Sequence, residues 1–154
     1  MARLEVGDAA PDFTMTADDG SVVSRAGQLG RRYALYFYPR DDSPGCTKQA
    51  CSLRDSWSRV AATGVEVFGV SPDSVKSHVK FRAKFSLPYR LLSDPGATTA
   101  DAFGVWIEKT FAGRTYMGNE RTTFVVDAEG RIAAVLPQVK PDQHTDQLLE
   151  VLAA

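Results

Sequence analysis

The chain has 154 residues, 44% of them hydrophobic and 24% charged, with a formal net charge of −1, a balance that supports one domain over residues 1–154 with a real core. Lys and Arg are scattered, and the Arg31-Arg32 pair is the densest basic spot, so the electrostatic footprint of nucleic-acid binding is missing. No apolar run has the length of a signal peptide or a membrane span, and two cysteines are too few for a secreted disulfide scaffold or a structural zinc site; a cytoplasmic protein acting on small molecules or other proteins is expected.

In chain order, residues 11–24 (PDFTMTADDGSVVS) place Asp19-Gly20 between two short β-prone runs, the pattern of a hairpin turn. Residues 32–38 (RYALYFY) form an apolar, aromatic run without alternation, as expected of a central strand buried on both faces and stopped by Pro39. From 46 to 62 the apolar residues Ala50, Leu53, Trp57, Val60 and Ala61 recur at helical spacing, which predicts one amphipathic helix behind a Pro44-Gly45 bend. A second strand is expected over 65–70, a helix through Val75, Val79, Phe81 and Phe85, and a third strand over 89–94. That order of strand, helix, strand, helix, strand implies parallel pairing with right-handed crossovers. RTTFVVD, the turn at 127–130 and RIAAVLP read as a hairpin, followed by a helix over about 142–152. An α/β fold with a mixed sheet flanked by helices results.

The chemistry concentrates in YPRDDSPGCTKQAC, residues 38–51, which holds both cysteines. Cys46 stands where the first core strand hands over to the first core helix, so its sulfur faces helix N-terminal amides that favour an anion. The helix dipole contributes at most about 2 kcal/mol, so a cation is expected to assist, and Arg40 and Arg121 are both candidates. Cys51 lies five residues on. In an ideal helix that offset separates the two Cα atoms by roughly 8–9 Å, beyond the ~7 Å that a disulfide tolerates. A bond between them therefore demands that the helix start unwind. Read alone, Cys51 can also be a small buried apolar residue.

Other polar residues point elsewhere. His78 falls on a helix expected at the surface and His144 in the polar start of the last helix, both read as solvated. Trp57 and the Tyr36, Phe37, Tyr38 run are read as core. Asp41-Asp42 could pair around a metal, but adjacent turn carboxylates usually face solvent.

YFYPRDDSPGCTKQACSLRD resembles the active-site segment of peroxiredoxins of the Q type, also called the bacterioferritin-comigratory-protein family. VGDAAPDF, FGVSPDS, LLSDP, FGVW with EK, and RTTFVVDAEG extend the likeness almost end to end. The resemblance implies a thioredoxin-like fold with an N-terminal β-hairpin extension. It also implies an enzyme that reduces hydrogen peroxide and organic hydroperoxides, with no prosthetic group or metal. By position Cys46 is similar to the peroxidatic cysteine of the Pro-x-x-x-Thr/Ser-x-x-Cys motif, read here as Pro39, Ser43 and Cys46, while Cys51 matches the resolving cysteine and Arg121 the active-site arginine. Ser43 departs from the more frequent Thr and loses the methyl group that restricts its rotamer. The resemblance further implies substrate contacts from Arg121, the Ser43 hydroxyl and the amides of Gly45 and Cys46, with Pro39 shielding the sulfur. It implies a Cys46-Cys51 disulfide, a thioredoxin-like dithiol reductant and a monomer. The rival readings are a thiol-disulfide oxidoreductase on the same fold, disfavoured by the Cys-x4-Cys gap, and a redox sensor or holdase.

Overall fold

A computed structural model of the protein describes residues 4–153. Its elements in chain order are β1 (Thr14–Ala17), β2 (Val22–Ser24), β3 (Tyr33–Phe37), α1 (Pro44–Asp55), α2 (Trp57–Ala61), β4 (Glu66–Ser71), α3 (Val75–Phe85), β5 (Arg90–Ser93) and α4 (Thr98–Ala102). The hairpin β6 (Trp106–Phe111) and β7 (Arg114–Asn119), the hairpin β8 (Thr122–Val126) and β9 (Ile132–Leu136), and α5 (His144–Leu152) follow. None of the described helices is long and apolar enough to cross a membrane.

Seven strands form one sheet in the order β2-β1-β5-β4-β3-β8-β9. β3, β4 and β5 run parallel, as the strand-helix alternation requires, while β1 and β8 join their edges antiparallel. The expected first turn forms where Gly20 takes φ +85° and the Ser21 amide donates to Asp19 Oδ1 at 2.9 Å; a residue without Cβ accepts that angle at no steric cost.

The unalternating β3 run is explained by two cores. Tyr33, Leu35 and Phe37 point into one, with Phe13, Phe68, Val70, Phe103 and Phe124. Ala34, Tyr36 and Tyr38 point into the other, with Leu53 of α1, Phe81 of α3 and Leu148 of α5. Period-two side chains on a strand covered on both faces leave no polar position to alternate with.

The helix expected over 46–62 differs at both ends. It begins at Pro44, with Ser43 as the N-cap residue, so Pro44 and Gly45 lie inside the first turn rather than in a bend before it. Proline suits that position, because its missing N–H would have found no helical partner there. The helix then breaks at Ser56, whose amide is shared between the Ser52 and Leu53 carbonyls at 3.3 Å each. The break turns Trp57 onto Tyr89, ring centroids 5.5 Å apart, so Trp57 is half-buried against the core as expected.

The hairpin β6–β7 escaped the sequence reading. Its two-residue turn is Ala112-Gly113, both at positive φ, the geometry that Asn-Gly usually signals; with alanine in the first place the signal is muted. The hairpin forms a separate two-stranded sheet.

Gly69 shows how tightly β4 is packed. A Cβ there would sit 2.8 Å from Leu91 Cδ2 and 2.9 Å from the Tyr36 Cζ and hydroxyl, and Tyr36 is itself pinned by a 2.9 Å bond to the Tyr89 hydroxyl. Gly69→Ala is expected to destabilise the fold by about 1–3 kcal/mol through overpacking. Urea unfolding of the two proteins measures this, and an unchanged midpoint would contradict the packing argument.

Candidate active site

Cys46 occupies the first turn of α1 and is only 2% exposed, while Cys51 lies further along the same uninterrupted helix, half-buried; both thiols are free. The amide of Thr47 is the first to be bonded in helical fashion, to the Ser43 carbonyl at 2.8 Å. The preceding amides of Gly45 and Cys46 belong to the set that a helix start leaves without helical acceptors. Pro39 and Ser43, which precede the sulfur, line a pocket of about 420 Å³ together with Arg40, Pro72, Trp106, Lys109, Tyr116, Met117 and Gly118.

Two arginines were candidates to accompany the sulfur, and the fold separates them. Arg121, at the entry to β8, lays its guanidinium against the first turns of α1: Nη1 donates to Gln49 Oε1 at 2.9 Å. A Cβ on Gly45 would lie only 2.7 Å from Nη2. Gly45 is thus required for close approach rather than for a bend. Arg40 is exposed and lines the outer pocket. The Ser43 hydroxyl donates to the Arg40 carbonyl at 3.1 Å and does not cap the helix.

The loop between β3 and α1 is held by a network the sequence reading missed. Asp41 is buried, contrary to the expectation of a solvent-facing pair; only Asp42 is exposed, bonded to Lys84 at 2.7 Å. Asp41 accepts from the Tyr38 hydroxyl at 2.6 Å and the Ser77 hydroxyl at 2.7 Å, and its own amide donates to Asp73 at 2.8 Å. His78, expected at the surface, is fully buried: Nδ1 lies 2.7 Å from Asp41 Oδ2 and Nε2 3.0 Å from the Leu92 carbonyl. Asp41, Asp73 and His78 bring ligand atoms within 4.8 Å of one another. Those atoms already serve one another and their neighbours, as buried polar groups must, so the cluster reads as a brace for the loop. The signal for it lay in the period of α3, where His78 and Phe81 share the buried face.

His144 is likewise buried rather than solvated, with Nε2 2.7 Å from the Thr123 hydroxyl.

A family model described as the AhpC/TSA family matches residues 6–135. The chain belongs to that family. Among the curated peroxiredoxins, "Putative peroxiredoxin bcp" of Coxiella burnetii is 48% identical over 146 residues, covering 95% of this chain and 97% of the relative. "Peroxiredoxin Bcp" of Bacillus subtilis is 42% identical, covering 97% and 95%. Among solved structures, a cysteine-to-serine mutant of Xylella fastidiosa PrxQ superposes with a TM-score of 0.91 at 29% identity, covering 99% of this chain and 98% of that one. The Xanthomonas campestris bacterioferritin comigratory protein, studied for its alkyl peroxide reduction activity, superposes at 0.87 with 33% identity, covering 99% and 98%. The resemblance read from the motifs is therefore correct: this is a peroxiredoxin of the Bcp or Q type with a thioredoxin-like fold, and an enzyme.

In this peroxiredoxin, burial first and the nearby Arg121 second push His144 down from the ordinary 6.5 to about 4. A histidine whose native form refuses a proton that the unfolded chain accepts leaves stability intact above about pH 6.5 and removes it as pH falls toward 4. The loss amounts to about 3 kcal/mol across that window. Urea midpoints from pH 7 to 4 are expected to fall less steeply in His144→Gln than in wild type; parallel slopes would contradict the assignment.

Proposed function

We propose that the protein reduces hydrogen peroxide and alkyl hydroperoxides with Cys46 as the attacking sulfur. The observation that carries this reading is the guanidinium of Arg121 pressed into the space Gly45 leaves open beside Cys46, behind a pocket walled by Pro39 and Ser43.

The Cys46 thiolate attacks the terminal oxygen of ROOH, forms an S–O bond as the O–O bond breaks, and becomes a sulfenic acid. Acidity alone does not make such a sulfur fast, because a more acidic thiol yields a less nucleophilic anion. Rate must come from donors arranged around the charge that shifts onto the leaving oxygen. Arg121 and the amides of Gly45 and Cys46 supply fixed donors on the sulfur side. Ser43 supplies a hydroxyl that turns from the Arg40 carbonyl to the peroxide, and Pro39 screens the sulfur from water.

Cys51 then condenses with the sulfenic acid, releasing water and forming a Cys46-Cys51 disulfide. Both residues sit in a continuous α1, so the helix start must unwind first. The first turns are tied to the body by the Arg121–Gln49 bond. Further along, the Tyr89 hydroxyl donates to the Ala50 carbonyl at 3.1 Å, and Ser52 meets Thr145 at 2.9 Å. Unwinding of the first half alone leaves these later anchors in place and frees Cys46 to swing toward Cys51. A thioredoxin-like dithiol then exchanges with the disulfide and restores both thiols. We place this cycle in the cytoplasm and in a monomeric single domain of residues 1–154, in line with the sequence reading.

Stopped-flow peroxide consumption tests the scheme. Cys51→Ser is expected to complete a fast first turnover and then stall, Cys46→Ser to show none, and Arg121→Ala to lose on the order of 100-fold in the first step, as removal of one preorganised donor does elsewhere. Equal peroxide reactivity in wild type and both cysteine variants would overturn it.

A further inference from the structure

An in-line displacement drives the leaving oxygen away from the sulfur, and it departs as alkoxide or hydroxide; the pocket beside the sulfur's loop is the one that Pro39 and Ser43 line. Such a base calls for an acid at the moment of cleavage. The guanidinium of Arg121 stabilises charge but does not surrender a proton. The titratable groups in the pocket wall are Arg40, Lys109 and Tyr116. Arg40 has the same limitation as Arg121, and Tyr116 on β7 is 50% exposed.

Lys109 differs from both. It projects from β6, is half-buried, and its stem crosses the neighbouring strand at Gly118, where an added Cβ would lie 3.4 Å from Lys109 Cδ and 3.7 Å from Cε. A bare glycine diagonal to it, two residues beyond its cross-strand partner Tyr116, thus clears a path for the side chain along the pocket wall. Lys109 shares the pocket wall with Arg40 and with Tyr116, its cross-strand partner, and its ammonium feels the charges of Arg121 and Glu120 at the entry to β8 and of Cys46 on α1. Burial first and Arg121 second lower its hold on the proton from the ordinary 10.5, with Cys46 and Glu120 opposing. The amine is therefore a stronger acid than a surface lysine.

We propose that Lys109 is a further catalytic residue of peroxide reduction, the general acid that protonates the oxygen leaving as the O–O bond breaks. The assignment rests on the peroxidase reading above. The sulfur lone pair forms the S–O bond and the O–O bonding pair leaves on RO⁻; Cys46 is oxidised to S–OH, retaining the hydroxyl hydrogen of ROOH. Lys109 passes one proton to RO⁻, giving ROH and a neutral amine, which water then reprotonates. Charge and atoms balance without any further reagent.

The test compares two oxidants on the reduced full-length protein by following sulfenic acid formation at Cys46. tert-Butyl hydroperoxide expels a strongly basic alkoxide, whereas peracetic acid expels acetate, which needs no proton. In Lys109→Met the ratio of the alkyl hydroperoxide rate to the peracid rate is expected to fall by about 100-fold, the lower range for general acid catalysis. Lys109→Arg, which keeps the charge but not the dischargeable proton, is expected to restore little of it. Wild type is expected to show a solvent deuterium isotope effect with tert-butyl hydroperoxide and almost none with peracetic acid. Equal losses with both oxidants, full rescue by arginine, or the same ratio shift appearing in Tyr116→Phe instead would overturn the proposal. Equal isotope effects in wild type overturn it even if Lys109→Met does not fold. No sulfenic acid in wild type with either oxidant would sink the peroxidase reading itself, and Lys109 with it.

Discussion

The contact between Arg121 and the first turn of α1 is the constraint around which this molecule is arranged. A guanidinium can reach the helix start only because Gly45 presents no side chain, and it stays there because Gln49, one turn further along, accepts its Nη1 hydrogen. The helix must begin at Pro44 for these positions to line up, and β8 must lie next to β3 for Arg121 to arrive from the far end of the chain. Each of those requirements is met by a different level of structure: a proline tolerated at N1, a missing Cβ, and an antiparallel strand pairing.

The loop that delivers α1 is the next necessity. Between the end of β3 and Ser43 the chain passes Asp42 at φ +58°, an uncommon angle for a residue with a side chain. The Asp41 network holds it. With Tyr38, Ser77, His78 and the Asp41 amide to Asp73 all engaged, the carboxylate is buried without being left short of partners, the condition under which a polar core group confers rigidity rather than cost. That network belongs to α3 and β4 as much as to the loop, so the sulfur's position is anchored in the core.

Opposite this fixed side stands the β6–β7 hairpin, which makes no part of the main sheet yet brings Trp106, Lys109, Tyr116, Met117 and Gly118 to the pocket. Tyr116 and Met117 are about half exposed, and Phe111 at the tip is 74% exposed. The pocket is thus assembled from a loop wall and an outlying hairpin wall that differ in chemistry: Pro39, Arg40, Ser43 and Pro72 on the first, the Lys109 amine beside Trp106, Tyr116 and Met117 on the second.

Local patterns were enough to reveal the β3 run, the alternation that forces parallel strands, the Asp19-Gly20 turn, the β8–β9 hairpin and the place of Cys46 at a helix start, since turns, strand periodicity and helix starts are properties of neighbouring residues. The motif resemblance added the pairing of Cys46 with Arg121, but spacing alone left Arg40 equal to it. Tertiary structure decided what depends on residues far apart in the chain. His78 and His144 look solvated on their own helices and are buried because α3 and α5 turn those faces to the sheet. Asp41 is internal and Asp42 external although they are adjacent, because Asp41 meets the inner side of α3 at Ser77 and His78 while Asp42 meets the exposed Lys84 at its end. The hairpin around Ala112-Gly113 carries a weak turn signal, so Lys109 has no visible link to a cysteine 63 positions earlier until the strands are in place. Burial and charge proximity are set by the packing of distant segments, and sequence order does not encode them locally.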